Sequence, residues 1–298
     1  MGLAIGSKLV SFAARTLPLP ELVYGPPRDP GTLARKKGYK DGWLTIIPHG
    51  DRANWNLENV GFAKPYEYIG ALHVLGLKHC FDAHVNRDPN GKDIGTSTRL
   101  VHCIEDFTSQ LRGHDVRVDP ALGYQSEQKH ATITGELKGW FDECRKDDCT
   151  LILLQEKDYG KYSTIKRYAD LNRGCYTVCA VGRKIVDRDS DKKLSRYQVL
   201  SNLALKVNMK MGGDNHFLQF APLDAVLGGE QRTKTTMICG ADVTHPGSGG
   251  KLGCPSIACV VGSVDRRFMN YPGSMRLQAG RQEVSAVSRI VSYSANSI

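Results

Sequence analysis

Long apolar runs and paired-cysteine motifs are absent from this 298-residue sequence. No segment reaches the length that an α-helix needs to cross a membrane, so we expect no membrane partner. The nine cysteines are scattered, without a CxxC pair or a Cys/His array at zinc spacing. This distribution indicates reduced thiols in a cytoplasmic or nuclear protein. Cys144 with Cys149, or Cys254 with Cys259, could supply metal ligands, but we interpret them as small buried hydrophobic residues.

The composition is that of a folded chain with room for two domains. Hydrophobic residues make up 41% of it, an ordinary value for globular proteins, which argues against disorder. The formal net charge of +9 and the pI near 9.1 favour polyanionic partners. Basicity alone does not distinguish RNA from DNA or from an anionic membrane surface.

Prolines are concentrated near the N-terminus, at positions 18, 20, 26, 27 and 30, and the basic run Arg35-Lys36-Lys37 follows them. This composition predicts an extended connector in the stretch 1–95. We expect Trp43 and Trp55 to be packing anchors of this connector rather than residues that stack on bases.

After this stretch, helix and strand signals alternate. Apolar residues at helical spacing predict helices over 98–111, 133–144, 162–174 and 197–211. Short apolar or β-branched runs predict strands over 151–154 and 175–181. Such alternation predicts an α/β fold with a mainly parallel sheet.

Basic and aromatic side chains lie at the ends of the elements in the stretch 151–213. Tyr162 and Lys166 are four positions apart, as are Lys206 and Lys210, so each pair shares a helix face. Open α/β sheets place anionic ligands where carboxyl ends of strands face helix N-termini, and we expect these side chains to gather there. Lysines would neutralise a phosphate, and a tyrosine ring would give a base a stacking surface. The alternative is that these lysines are ordinary solvated surface.

Positive charge is concentrated in the same part of the chain. Residues 155–215 hold thirteen Lys and Arg against seven Asp and Glu, which is a net +6 of the formal +9. Tyrosines are interleaved with them, at positions 159, 162, 168, 176 and 197. Basic residues interleaved with aromatic ones are typical of proteins that bind single-stranded nucleic acid.

Four motifs carry a family resemblance: YSTIK at 162–166, TVC at 177–179, LSNLALKVNMKMGG at 200–213 and ICGADVTHP at 238–246. The first three resemble the MID domain of a fungal-type Argonaute, and the fourth resembles the opening strand of its PIWI domain. RTLPLPELVYG at 15–25 resembles the linker that precedes MID. The resemblance implies a linker over 1–95, a Rossmann-like MID domain with a mainly parallel sheet over 96–220, and an incomplete ribonuclease-H-like PIWI domain over 221–298.

The resemblance also implies a pocket for the 5′-phosphate of a small single-stranded guide RNA. Tyr162 would stack on the first base. The phosphate would be held by Lys166, Thr177, Cys179, Lys206 and Lys210. Val178 stands where many relatives have glutamine, which removes a side-chain donor that the Thr177 hydroxyl could replace.

A catalytic site in the PIWI part is implied by the same resemblance. Asp242 lies in an apolar strand predicted over 236–243, where a buried, unpaired carboxylate would be costly unless it bound a metal. Asp242 would be the first Mg²⁺-binding carboxylate of a two-metal endoribonuclease site, and Glu283 would complete it. The chain ends at Ile298, before the further carboxylate or histidine of its relatives, so we expect no slicing by this chain alone.

Three functions follow from these expectations. The first is guide-RNA binding in RNA-mediated gene silencing, with target RNA and silencing-complex proteins as partners. The second is a Mg²⁺-dependent RNA endonuclease, should the PIWI domain be completed; otherwise no cofactor is expected. The third is a non-functional truncated product or an interaction module whose unfinished sheet captures partners.

Overall fold

The computed structural model describes residues 19–26, 39–40, 43–47, 60–70, 72–76, 98–118, 122–125, 141–142, 144–154, 156–182, 185, 193–247 and 253–280. Within them, the strands form one parallel and two antiparallel sheets. In chain order the strands are β1 (Leu22–Tyr24), β2 (Tyr39–Lys40), β3 (Trp43–Ile46), β4 (Leu72–Gly76), β5 (Leu122–Gln125), β6 (Cys149–Leu154), β7 (Tyr176–Val181), β8 (Phe217–Leu218), β9 (Cys239–Thr244), β10 (Ser256–Gly262) and β11 (Gly273–Gln278). The α-helices are α1 (Thr98–Gly113), α2 (Tyr159–Lys166), α3 (Lys193–Met211), α4 (Phe220–Leu227) and α5 (Glu230–Thr235).

The parallel sheet has the strand order β5-β4-β6-β7. Every residue of β6 is buried, because helices cover both faces of the sheet. On one face, Leu151 of β6 belongs to a core with Phe107 of α1 and Leu200 of α3. On the other face, Ile152 packs with Ile165 of α2. These layers confirm the predicted α/β fold with a mainly parallel sheet.

The helix between β6 and β7 begins earlier than predicted and changes its winding. Asp158 caps it, since its carboxylate accepts a hydrogen bond from the backbone N–H of Lys161 at 2.9 Å. After α2 the chain continues as a π-helical segment, Arg167–Arg173. Gly174, with φ of 68°, ends this segment in the left-handed conformation that glycine adopts without strain. The predicted end of the helix at Gly174 is therefore confirmed.

The first antiparallel sheet has the order β2-β3-β1-β8, so it joins the N-terminal part of the chain to the segment after α3. Trp43 packs edge-on against Phe217, with 5.4 Å between ring centroids, which confirms its packing role. Trp55 lies outside the described residues. β4 pairs with β5 and β6, so the stretch 1–95 supplies strands to two sheets.

The second antiparallel sheet has the order β11-β10-β9, and β9 matches the strand predicted over 236–243. Most residues of β9 and β11 are exposed. Among them, Met275 is 66% exposed and Leu277 is 71% exposed. Arg267, between β10 and β11, connects this sheet to the rest of the structure. Its guanidinium carbon is 4.5 Å from the ring centroid of Phe217, and a guanidinium nitrogen is 3.6 Å from a carboxylate oxygen of Asp214.

The other predicted helices have mixed outcomes. α1 and α3 confirm the helices predicted over 98–111 and 197–211, each with a few additional residues. The helix predicted over 133–144 lies mostly outside the described residues, although 141–142 are helical. None of the helices in the described part of the chain is both long and apolar enough to span a bilayer.

Candidate nucleic-acid interface

Two lysines converge on one residue of the parallel sheet. Lys166 Nζ donates to the carbonyl oxygen of Thr177 at 2.7 Å and to its hydroxyl oxygen at 2.5 Å. Lys210 Nζ donates to the same carbonyl oxygen at 2.8 Å. The last turn of α2, the last turn of α3 and strand β7 therefore meet at this point.

One carboxylate accompanies the two ammonium groups. Asp170 Oδ2 is 3.6 Å from Lys166 Nζ, and Asp170 Oδ1 accepts a hydrogen bond from the Thr177 hydroxyl at 3.0 Å. Partial burial of the Lys210 ammonium, together with the neighbouring Lys166, lowers the pKa of Lys210, and Asp170 opposes this shift. Two cations beside one anion leave an excess of positive charge, so this cluster is suited to a phosphate.

The lysine cluster lies at the amino end of β7, because Thr177 is the second residue of that strand. The expectation of a site at the carboxyl ends of strands, facing helix N-termini, is therefore wrong. Lys210 lies in the last turn of α3, where the helix dipole favours cations. The positive charge of the site comes from side chains rather than from unpaired backbone N–H groups.

Tyr162 and Lys206 lie one helical turn before the two central lysines, on α2 and α3 respectively. The ring centroid of Tyr162 is 6.0 Å from Lys166 Nζ, and the residue is 46% exposed. Its ring is therefore open to a stacking partner beside the ammonium group. Lys206 is also exposed.

Val178 and Cys179 pack on opposite faces of β7. Val178 is buried in the core with α1 and α3, where an apolar side chain is favourable. Cys179 packs toward α2. Burial raises the pKa of its thiol, while the positive charges of Lys166 and Lys210 oppose that shift. The Cys179 thiol thus lies within electrostatic range of the lysine cluster.

Sequence reasoning missed Asp170. The available signal was its position four residues after Lys166, which is the spacing of an ion pair on one helix face. The pattern of cations was sufficient to select the lysines, but it gave no reason to look for the anion that accompanies them.

Asp242 lies on β9, opposite Cys259 of β10. The residue is exposed, so the expectation of a carboxylate within a buried apolar strand is wrong. Its oxygen atoms are suitable Mg²⁺ ligands. In the described part of the chain, however, no group of three or more metal-ligating side chains includes Asp242, and Glu283 lies outside that part. These described residues therefore do not form a two-metal site by themselves.

The fold and this cluster define an α/β protein in which two lysines from helices meet at a strand of the parallel sheet, and which also has a three-stranded antiparallel sheet. Comparison with known proteins shows what the chain is similar to. The Piwi domain model matches residues 149–296. Protein argonaute 1C of Oryza sativa subsp. japonica is 28% identical over 290 residues, which cover 95% of this chain and 25% of the relative. The chain therefore spans about a quarter of the length of that relative.

Two solved structures share the fold. Kluyveromyces polysporus Argonaute with a guide RNA is similar with a TM-score of 0.62 and 19% identity, over 92% of this chain and 31% of that one. The MID-PIWI domains of N. crassa QDE-2 AGO give a TM-score of 0.52 and 23% identity, over 73% of this chain and 54% of that one. The chain therefore contains a match to the Piwi domain and is homologous to Argonaute proteins, which confirms the resemblance inferred from its motifs.

Proposed function

We propose that this chain binds the 5′-phosphate of a small single-stranded guide RNA and acts in RNA-mediated gene silencing. The observation that carries the proposal is the convergence of Lys166 and Lys210 on Thr177, beside a single carboxylate. A terminal phosphate carries up to two negative charges and three acceptor oxygens, so it matches two ammonium donors better than a neutral 5′-hydroxyl does. The similar K. polysporus structure contains a guide RNA, which supports this choice of ligand.

In this proposal, the phosphate replaces Asp170 as the principal counter-ion of the lysines. Lys166 and Lys210 turn from the Thr177 carbonyl toward the phosphate oxygens, and Lys206 adds a third positive charge from the preceding turn of α3. Tyr162 stacks on the first base, because its exposed ring lies next to Lys166. Cys179 contributes to the wall of the pocket.

The test compares the affinity of the whole chain for one short RNA that carries either a 5′-phosphate or a 5′-hydroxyl, at physiological salt. We expect a clear preference for the phosphate. The Lys166→Ala and Lys210→Ala variants should each lose about 1.5–3 kcal/mol of binding to the phosphorylated RNA, or roughly 10- to 150-fold in affinity. The hydroxyl form should be affected much less.

Lys234→Ala is the matched control, since it removes the same charge from α5, where Lys234 pairs with Glu230. It should reduce binding of the two RNAs equally, through the salt-dependent contribution alone. Tyr162→Ala should cost about 1–3 kcal/mol with either RNA, because stacking does not require the phosphate. Equal, weak and salt-sensitive binding of both RNAs by the parent chain would disprove the pocket.

RNA cleavage is the second candidate function, and the observation that favours it is the exposed carboxylate of Asp242 within the Piwi match. Asp242 and Glu283 would bind Mg²⁺, which would supply Lewis-acid stabilisation and an activated water. Target RNA and silencing-complex proteins would be further partners. Mg²⁺-dependent cleavage of a guide-matched RNA, abolished by Asp242→Asn, would establish this function, and its absence in the parent chain would agree with the expectation that the PIWI domain must first be completed.

A further inference from the structure

A second polar cluster lies on the same face of the parallel sheet as Thr177, two strands away. Strand register aligns His73 of β4 with Thr150 of β6, and Thr150 with Thr177 of β7. Aligned residues of neighbouring parallel strands point to the same face. Because strands lie about 4.8 Å apart, the backbone of His73 is roughly 10 Å from that of Thr177. The second cluster is therefore separate from the lysine cluster.

Three side chains with metal-ligating atoms meet in this second cluster. His73 comes from β4, whereas Cys144 and Asp148 both come from the segment that leads into β6. One ligand atom of each lies within 4.8 Å of the other two. His73 Nε2 is 3.4 Å from Asp148 Oδ2.

The distance between His73 Nε2 and Asp148 Oδ2 matches that between two ligands of a tetrahedral zinc ion. Zn–N and Zn–O bonds are about 2.0–2.2 Å long, so two such ligands at a tetrahedral angle are about 3.4 Å apart. A thiolate sulfur, with a Zn–S bond of about 2.3 Å, lies slightly farther from each of them. The three ligand atoms lie within 4.8 Å of one another, so only a small movement of Cys144 is needed to bring its sulfur to this geometry.

Neighbouring groups hold the potential ligands in place. Asp148 is 6% exposed, and the backbone N–H of Arg145 donates to its Oδ2 at 2.8 Å. The Cys144 sulfur is 3.7 Å from the hydroxyl oxygen of Thr150. Hydrogen bonds of this kind orient metal ligands in known sites.

We propose that His73, Cys144 and Asp148 bind one zinc ion, with water as the fourth ligand. A thiolate and a carboxylate would balance the two positive charges of the ion, and a neutral imidazole would complete the set of protein ligands. Because β4 and β6 are neighbours in the sheet, the ion would connect the stretch before β6 to β4. This proposal does not depend on guide-RNA binding.

The test uses the whole chain, freed of metal with a chelator and titrated with Co²⁺ as a spectroscopic substitute for zinc. We expect a thiolate-to-cobalt charge-transfer band and the intense visible bands of tetrahedral Co²⁺, both lost when Zn²⁺ is added. Cys144→Ser should abolish the charge-transfer band, because Cys144 supplies the thiolate of the proposed site. His73→Gln and Asp148→Asn should each weaken zinc binding by at least about tenfold. Absence of the charge-transfer band in the parent chain would overturn the proposal.

The matched control is Cys239→Ser, which removes an exposed thiol from β9 and should leave the spectrum unchanged. Circular dichroism checks that each variant is folded. A second measurement needs no substitution: zinc should protect Cys144 from alkylation, as read by peptide mass spectrometry. Equal alkylation of Cys144 with and without zinc, or an unchanged cobalt spectrum in folded Cys144→Ser, would also overturn the proposal.

Discussion

The parallel sheet and the β9–β11 sheet differ in how much of their surface is covered. Helices cover both faces of the parallel sheet, and every residue of β6 is buried. Most residues of β9 and β11 are exposed. Strands β6 and β7 of the parallel sheet and all three strands of the β9–β11 sheet lie within the region that matches the Piwi domain model, so sequence similarity alone does not separate the two environments.

This difference in coverage determines the environment of charged side chains at each sheet. At the parallel sheet, helices α2 and α3 bring two lysines to one carbonyl oxygen. Partial burial there lowers the pKa of Lys210. On β9, the exposed carboxylate of Asp242 accepts only the backbone N–H of Val243, at 2.9 Å, among its hydrogen bonds from described residues. A covered sheet can therefore assemble a site from its own helices, whereas an uncovered one presents single side chains.

The largest expected contrast between the two sheets is in thiol reactivity. Burial raises the pKa of Cys149 on β6 to about 12, whereas Cys239 on β9 is exposed. A thiol with that pKa is ionised in roughly one molecule in 10⁴ at pH 8, and the thiolate is the reactive form. We expect iodoacetamide to modify Cys239 at least about 1000-fold faster than Cys149 in the native chain. Comparable rates, measured by peptide mass spectrometry, would contradict the burial of β6.

A matched pair of leucine substitutions tests the same contrast in stability. Leu151→Ala leaves a cavity in a fully buried position of β6 and should lower the free energy of unfolding by about 2–5 kcal/mol. Leu277→Ala removes a side chain that is 71% exposed on β11 and should change it by less than about 0.5 kcal/mol. Urea denaturation measures both. Similar losses would mean that the β9–β11 sheet is covered in solution.

The lowered pKa of Lys210 predicts a pH dependence of phosphate binding. In the free protein, the Lys210 ammonium loses its proton at a lower pH than an ordinary lysine, whose pKa is about 10.4. A bound phosphate favours the charged form, so the preference for 5′-phosphate over 5′-hydroxyl RNA should fall as pH rises through the pKa of Lys210. The unfolded chain binds more protons in the same window, so the contribution of Lys210 to stability rises with pH. Folded Lys210→Arg, which stays charged, should keep its phosphate preference to higher pH.

Asp170→Asn should produce the smallest effect, and in the opposite direction from the lysine variants. Asp170 competes with a phosphate for the lysines, and its side chain is 42% exposed, so solvent screens its charge. Its removal should strengthen binding of 5′-phosphorylated RNA by about 0.5–1 kcal/mol, or roughly two- to fivefold. Asp142→Asn is the control, because Asp142 pairs with Arg173 instead. Weaker binding by folded Asp170→Asn would show that the carboxylate supports the site.

Much of the fold could be predicted from the sequence, because periodicity and glycine positions act locally. The apolar run of β6 and the left-handed Gly174 are visible in single segments of the chain. β4 was not recognised as a strand of the parallel sheet, since it pairs with β5 and β6, which are distant in sequence. Its membership in that sheet depends on tertiary pairing.

The candidate sites likewise combine features that are visible in the sequence with features that depend on tertiary structure. Four-residue spacing selected Tyr162, Lys166, Lys206 and Lys210, but it placed them at the wrong end of the strands. The His73, Cys144 and Asp148 cluster could not be predicted, because no zinc-type spacing relates these residues. Neighbouring strands bring His73 close to Asp148 in space.

By itself, the sequence determined the resemblance to Argonaute proteins, the alternation of helices and strands, and the cationic residues of the candidate phosphate site. These properties depend on residue types and on short spacings along the chain. Tertiary structure alone decided that Lys166 and Lys210 meet at the amino end of β7, that Asp170 is the carboxylate beside them, and that Asp242 is exposed. The physical reason is that burial, and the distance between charges, are set by which elements pack together.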